Sequence, residues 1–248
     1  MNDKNILEKF LSIDLTSPQK VFTEFKNIDN AIYFPTIKGY DDCIYVPGHR
    51  NDRVVLVSHA DTVFSKKGKH RIILENGTYK SNEQDDETGI GADDRAGVAI
   101  LYLLKDLGHS LLITNGEERG CLGAHAIREH HTKLFDELNN HQYFIEFDRC
   151  HSHDFKTYTI PVTEDFKRFI EQKTSFKEAE PYSSTDITIL CEKICGVNLS
   201  IGYDYEHTPD EILAYKDWKR TLDIVRKMLE EPQKKFPLLT NLKGDLTC

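Results

Sequence analysis

Apolar positions along this chain recur at two spacings, and each change of spacing marks a new element. Residues 3–12 and 18–27 are apolar at helical spacing, and Thr16-Ser17-Pro18 predicts a helix start with Ser17 as cap and Pro18 first in the helix. Strands are predicted at 42–46 and 53–58. Lys69 to Leu74 and Thr78 to Lys80 flank Asn76-Gly77, the signature of a tight hairpin, inside a polar excursion spanning 64–88. From Gly89 onward strand and helix alternate: helix 95–107, strand 110–114, helix 121–131, strand 142–147, helix 163–173, helix 185–194, strand 197–201 and helix 209–230. In the last, Trp218, Leu222, Val225 and Leu229 form a core-facing stripe. This alternation predicts an α/β fold with a mixed, largely parallel central sheet and helices on both faces. The expected organisation is one domain over residues 1–248, with 232–248 as an irregular surface tail.

Composition narrows the setting. A chain of 248 residues buries roughly 70–75% of its unfolded surface, enough for a core without disulfide staples. The formal charge of −9 argues against nucleic acid or an anionic membrane as partner, since both call for a basic face. No stretch approaches the ~18 apolar residues of a membrane span. The first residues lack the pattern of a signal peptide, and six cysteines in that context point to reduced thiols in a cytoplasmic protein. Cys191 and Cys195, four apart on a predicted helix, read as small buried residues on one face.

Candidate chemistry sits in five islands at the ends of predicted elements: His59-Ala60-Asp61, Asp93-Asp94, Glu117-Glu118, Asp148 and His207. Each has a plain structural alternative. Asp61 shares a strand face with His59 and is placed to accept the imidazole's other N–H, but a His-x-Asp pair also occurs as a surface contact. Asp93 or Asp94 suits a helix cap, although one cap does not need two carboxylates. Glu117-Glu118 suits a solvated turn. Thr208-Pro209-Asp210-Glu211 reads as a capping box for the last helix, which leaves His207 unexplained. Taken together, two histidines and several carboxylates without cysteine match the oxygen and nitrogen donors of catalytic zinc.

The motifs "SHADTV" at 58–63, "GADDRAG" at 91–97, "GEERG" at 116–120, "EFD" at 146–148 and "EHTPDE" at 206–211 resemble those of the co-catalytic di-zinc exopeptidases. That superfamily includes peptidase T, carboxypeptidase G-type enzymes and leucyl aminopeptidases. The resemblance covers about residues 50 to 230. It implies two zinc ions, or other divalent metals such as manganese or cobalt. It also implies Asp93 as a bridge, His59 and Asp148 on one ion, Glu118 and His207 on the other, Asp61 orienting His59, and Glu117 as general base. A cis peptide at Asp93-Asp94 is implied as well. "SSTD" at 183–186 resembles the "GGTD" loop of these families, which makes Asp186 a site-shaping candidate. Peptidase T-like enzymes insert a lid domain before that loop, whereas only residues 149–182 intervene here, so the compact form and a monomer are expected.

The implied chemistry is hydrolysis of a peptide bond by a metal-held water, with the glutamate that is not a ligand moving the proton. An aminopeptidase acting on small peptides is the expected function. Other di-zinc amidohydrolases stay open, among them an N-deacetylase acting on N-acyl amino acids, a carboxypeptidase or a glutaminyl-cyclase-like enzyme. A non-catalytic binding module on the same fold is the other class. For substrate contacts the sequence offers Arg149, at the start of the 149–158 histidine-bearing segment, and Tyr203 or Tyr205 as oxyanion donors.

Overall fold

Eight strands form the central sheet of this computed structural model, which describes residues 2–65, 71–82 and 88–239. The chain opens with α1 (Asp3–Leu11) and α2 (Pro18–Lys26), followed by β1 (Ile32–Phe34), β2 (Cys43–Val46) and β3 (Val55–His59). The hairpin is β4 (Ile72–Glu75) and β5 (Thr78–Ser81). Next come α3 (Ala92–Leu104), β6 (Ser110–Thr114), α4 (Leu122–His130), α5 (Thr132–Leu138), β7 (Phe144–Arg149) and β8 (Asp154–Lys156). The chain continues through α6 (Glu164–Thr174), β9 (Lys177–Glu178), α7 (Asp186–Leu190), β10 (Gly196–Ser200), β11 (Tyr203–Asp204), β12 (Ile212–Ala214) and α8 (Tyr215–Glu230).

The sheet order is β1-β2-β6-β3-β7-β10-β8-β9. Its centre, β6-β3-β7-β10, is parallel, while β2 and β8 flank it antiparallel. Every residue of β3, β6 and β10 is buried, as in a sheet covered on both faces. Helices α1, α3 and α8 pack as one group and α4, α5 and α7 as another. The stripe Trp218, Leu222, Val225 and Leu229 is fully buried, as its spacing predicts. Among the described residues no helix is long and apolar enough to cross a membrane.

A second sheet, β11-β12-β5-β4, goes beyond the sequence reading. Asn76 and Gly77 take φ of 51° and 84°, the turn their sequence predicts, and β5 pairs with β12 through Tyr79 opposite Leu213. The hairpin therefore braces the loop that carries His207. Lys69 and His70 of the predicted first strand lie outside the described residues, as do the end of the excursion and residues 240–248.

Four local readings are corrected. Ser17 stands at the start of α2 but makes no side-chain cap. The last helix starts at Tyr215, not 209, because Ile212–Ala214 is drawn into a strand against β5; this tertiary pairing overrides a local helix start. The helix predicted to run to 194 stops at Leu190. The Asn139 amide bonds the Leu190 carbonyl at 3.0 Å and takes the N–H groups of Glu192 and Lys193 at 3.0 and 2.9 Å, so Cys191 and Cys195 do not share a helix. Finally, residues 232–239 are no loose surface tail, since Phe236 packs on Tyr143, Phe166 and Phe169 with ring centroids 4.9–5.7 Å apart.

Candidate active site and metal centre

The parallel strands end on a common edge, where open α/β folds gather their chemistry, and the five islands converge there. Buried His59, the last residue of β3, has Nε2 3.0 Å from Asp93 Oδ1 and 3.4 Å from Asp148 Oδ1. Its Nδ1 faces Asp61 Oδ1 at 3.4 Å. That same oxygen accepts the N–H of Gly116 at 2.8 Å and of Glu117 at 3.2 Å. Asp61 thereby ties the histidine to the turn bearing both glutamates.

The other oxygen of Asp93, Oδ2, lies 3.1 Å from Nε2 of His207, and Glu118 Oε2 is 3.0 Å from the same nitrogen. His207 stands between β11 and β12 with a left-handed φ of 65° and a side chain 50% exposed. Asp148 is fixed by hydroxyls: Thr185 donates to Oδ2 at 3.0 Å and Tyr203 to Oδ1 at 3.3 Å.

Two further features hold Asp93 in place. The Asp93-Asp94 peptide is cis, and Asp94 turns away from the cluster to accept the His59 N–H at 3.0 Å and the Gly97 N–H at 3.0 Å. A Cβ on Gly97 would meet Phe147 O and Asp94 Oδ1 at 2.2 Å each, so only glycine lets α3 approach β7 this closely. Glu211 completes the support: its carboxylate accepts the N–H of Gly91 at 2.6 Å and of Asp93 at 3.0 Å. The capping-box reading is overturned here, because Glu211 serves the start of α3 and not its own segment.

The cluster carries more negative charge than its histidines balance. Burial would lower His59, but Asp148 and its neighbours hold the ring well above the usual histidine range. Bonds to Asp93 and Glu118 raise His207 to about 11. Burial and the nearby Asp148 charge push Glu117 up to about 9, and burial with the Asp93 charge raises Asp148 to about 7. Burial works against Asp93 too, yet its two histidine partners keep that carboxyl below the ordinary range. Among the described residues, buried Glu118 Oε1 finds no hydrogen-bond partner. Buried charge of one sign with an unpartnered donor atom is costly unless a cation compensates it.

The residues fit a divalent metal by this test and by donor type. Ligand atoms of His59, Asp93 and Glu118 lie within 4.8 Å of one another, and so do those of His59, Glu117 and Asp148. All are oxygen or nitrogen donors, suited to zinc in open, reactive sites.

A cavity of about 230 Å³ opens onto this cluster, lined by Asp93, Glu117, Asp148 and His207. Arg149 and Cys150 form part of its wall, as does Tyr203. Of the residues predicted to meet substrate, Arg149 lines the cavity but spends its guanidinium on Asp154, at 3.0 and 2.6 Å. Asp186 is wholly buried behind the site, bonded to the Thr114 hydroxyl, with no partner for Oδ1 among the described residues and its carboxyl raised by burial to about 6. Tyr205 is 64% exposed and is not among the residues that line the cavity. His151 is exposed and bonds Asp204 at 2.7 Å. Thr185 and Glu211 escaped the sequence reading. Thr185 had a signal in its place beside Asp186, whereas Glu211 was hidden by a better-known local motif.

Among known proteins, a Bacillus subtilis protein described as "Uncharacterized protein YqjE" is 30% identical over 153 residues, which are 51% of this chain and 40% of that protein. The chain thus spans about two-fifths of the length of that curated relative. The aminopeptidase PepT of Bacillus cereus superposes with a TM-score of 0.67 at 14% identity, covering 93% of this chain and 98% of that one. A tripeptidase from Staphylococcus aureus gives 0.68 at 14% identity, with coverage of 93% and 98%. An aminopeptidase of the archaeon Desulfurococcus kamchatkensis gives 0.62 at 12% identity, with coverage of 92% and 94%. At such identities these structures establish the zinc-exopeptidase fold. Residues 44–231 match the profile of Peptidase family M28, more than half of the chain, so the protein belongs to that family.

Proposed function

We propose that the protein is a zinc-dependent aminopeptidase. One observation carries the reading: Asp93 offers one oxygen to His59 and the other to His207, while Glu117, whose Oε1 accepts from the Cys121 thiol at 3.8 Å, lines the cavity. His59 and Asp148 would hold one ion, Glu118 and His207 a second, and Asp93 would be shared between them. When bound, the ions would polarise the scissile carbonyl, acidify the attacking water and bring Glu117 down from about 9 into the range of a neutral-pH base.

The chain's own groups do the rest. Glu117 takes the water's proton and returns it to the leaving amine, a role open to it because Glu118 is the partner engaged by His207. Asp61 orients His59 and, through the Glu117 N–H, sets the position of the base relative to that ring. The acidic cavity wall attracts the ammonium group of a peptide's free N-terminus. The aminopeptidases among the structural neighbours support this choice of terminus.

Zinc-reconstituted protein assayed against peptides free or blocked at each end tests the reading. Cleavage is expected only where the N-terminus is free, with products shortened from that end. Hydrolysis confined to amino-blocked substrates would replace it with a deacylase or carboxypeptidase.

A further inference from the structure

The cavity wall also holds a cation that the proposed reaction does not use. Lys156 lies at the end of β8 and lines the same cavity as Asp93, Glu117, Asp148 and His207. It is half-buried. Its Nζ donates to the Tyr182 carbonyl at 2.8 Å and to the Ser183 hydroxyl at 3.4 Å, both neutral acceptors. An ammonium has three N–H donors, and these acceptors take two of them; the Tyr158 ring, its centroid 5.6 Å from Nζ, offers the third a π face but no lone pair.

The neighbouring charges do not neutralise it. Asp154, the nearest acid on its own strand, is taken up by both arms of the Arg149 fork. Asp154 and Glu206 act on Lys156 only at longer range, against the like charge of Arg149, and among the described residues no carboxylate lies within ion-pair distance of it. Burial works in the same direction as Arg149, against its charged form. A partly desolvated ammonium held this way gains most from an incoming anion. The cavity is also small: about 230 Å³ falls below the roughly 300–1,000 Å³ of drug-sized ligand sites, so a substrate that fills it is short.

We infer that Lys156 receives a carboxylate of the substrate, which makes the preferred substrates short zwitterionic peptides whose ammonium faces the acidic cluster while their carboxylate meets Nζ. The inference rests on the aminopeptidase reading and adds a substrate class to it. A substrate carboxylate has two sources, the chain end and an Asp or Glu side chain. A C-terminal carboxylate makes the site a selector of very short peptides, and a side chain makes it a selector of sequence.

The experiment compares kcat/KM of the zinc-loaded protein on Ala-Ala, Ala-Ala-amide and Ala-Asp-amide, each with the parent, K156Q and K156R. A charge-assisted hydrogen bond predicts a free-acid to amide preference of about tenfold or more in the parent, falling to near one in K156Q and kept in K156R. Preference for Ala-Ala alone assigns the chain end, and equal preference for Ala-Asp-amide assigns the side chain. Equal rates on all three peptides in the parent, or a K156Q loss uniform across them, would overturn the assignment while leaving the peptidase reading intact. Failure to hydrolyse any peptide would overturn that reading and the inference with it.

Discussion

The Glu211 carboxylate accepts the backbone N–H of Asp93 at 3.0 Å, which makes the loop that delivers His207 also the support of the aspartate His207 faces. One segment thus sets both partners of a contact between residues far apart in sequence. Glu211 is buried, and its removal leaves the Gly91 and Asp93 N–H groups without acceptors.

E211A is therefore expected to lose about 2–6 kcal/mol of stability, since each of the two orphaned buried donors costs about 1–3 kcal/mol. Zinc affinity should fall with it. Urea unfolding of metal-free protein measures the first and a competing chelator the second. An E211A protein with parental stability and zinc affinity would show that Glu211 does not hold Asp93.

Gly97 admits no side chain. With Phe147 O and Asp94 Oδ1 each 2.2 Å from the place a Cβ would take, G97A must push α3 off the sheet edge. Overpacking of this severity costs about 3 kcal/mol, or roughly 6–12 °C in melting temperature for a chain this size. A calorimetric melt within about 2 °C of the parent's would contradict the close approach.

Far from the site, His141 gives the fold a pH dependence of its own. Buried at 2% exposure, its Nε2 lies 2.8 Å from the Ser110 hydroxyl and accepts from Arg53 Nε at 3.1 Å, and its Nδ1 donates to the Glu137 carbonyl at 2.9 Å. Burial, with the like charge of Arg53 nearby, holds the ring down at about 4. Because the folded value lies below the unfolded one near 6.5, this stabilisation is fully present above pH 6.5 and is lost as pH falls toward 4. The span corresponds to about 3 kcal/mol. Unfolding free energies of chelator-treated parent and H141N should diverge in slope across that window, and parallel slopes would refute it.

How much of this was legible in the sequence depends on how local each signal was. His59, Asp93, Glu118, Asp148 and His207 were visible because they stand at the ends of elements readable from apolar runs and in motifs with a family resemblance, and the structure brings all five together at one sheet edge. The Asn76-Gly77 turn and the Trp218 stripe were equally plain, since short-range chemistry fixes them. Elements shaped by distant partners were not. Ile212–Ala214 became a strand only because β5 lies beside it, and α7 stops early because Asn139, fifty residues upstream, takes its continuing N–H groups. Glu211 is the sharpest case: three residues after Thr208 it has the local form of a cap, yet it acts on a helix whose start lies 120 positions away.

In the proposed reaction Glu117 moves the proton while other residues hold the metal. Zinc content and kcat on a peptide with a free N-terminus, measured together for the parent and E117Q, test it most directly. About two zinc ions are expected in both proteins, with a fall in kcat of at least about a hundredfold in E117Q, the scale of a lost general base. An E117Q protein that keeps its rate, or that loses zinc in proportion to rate, would contradict it.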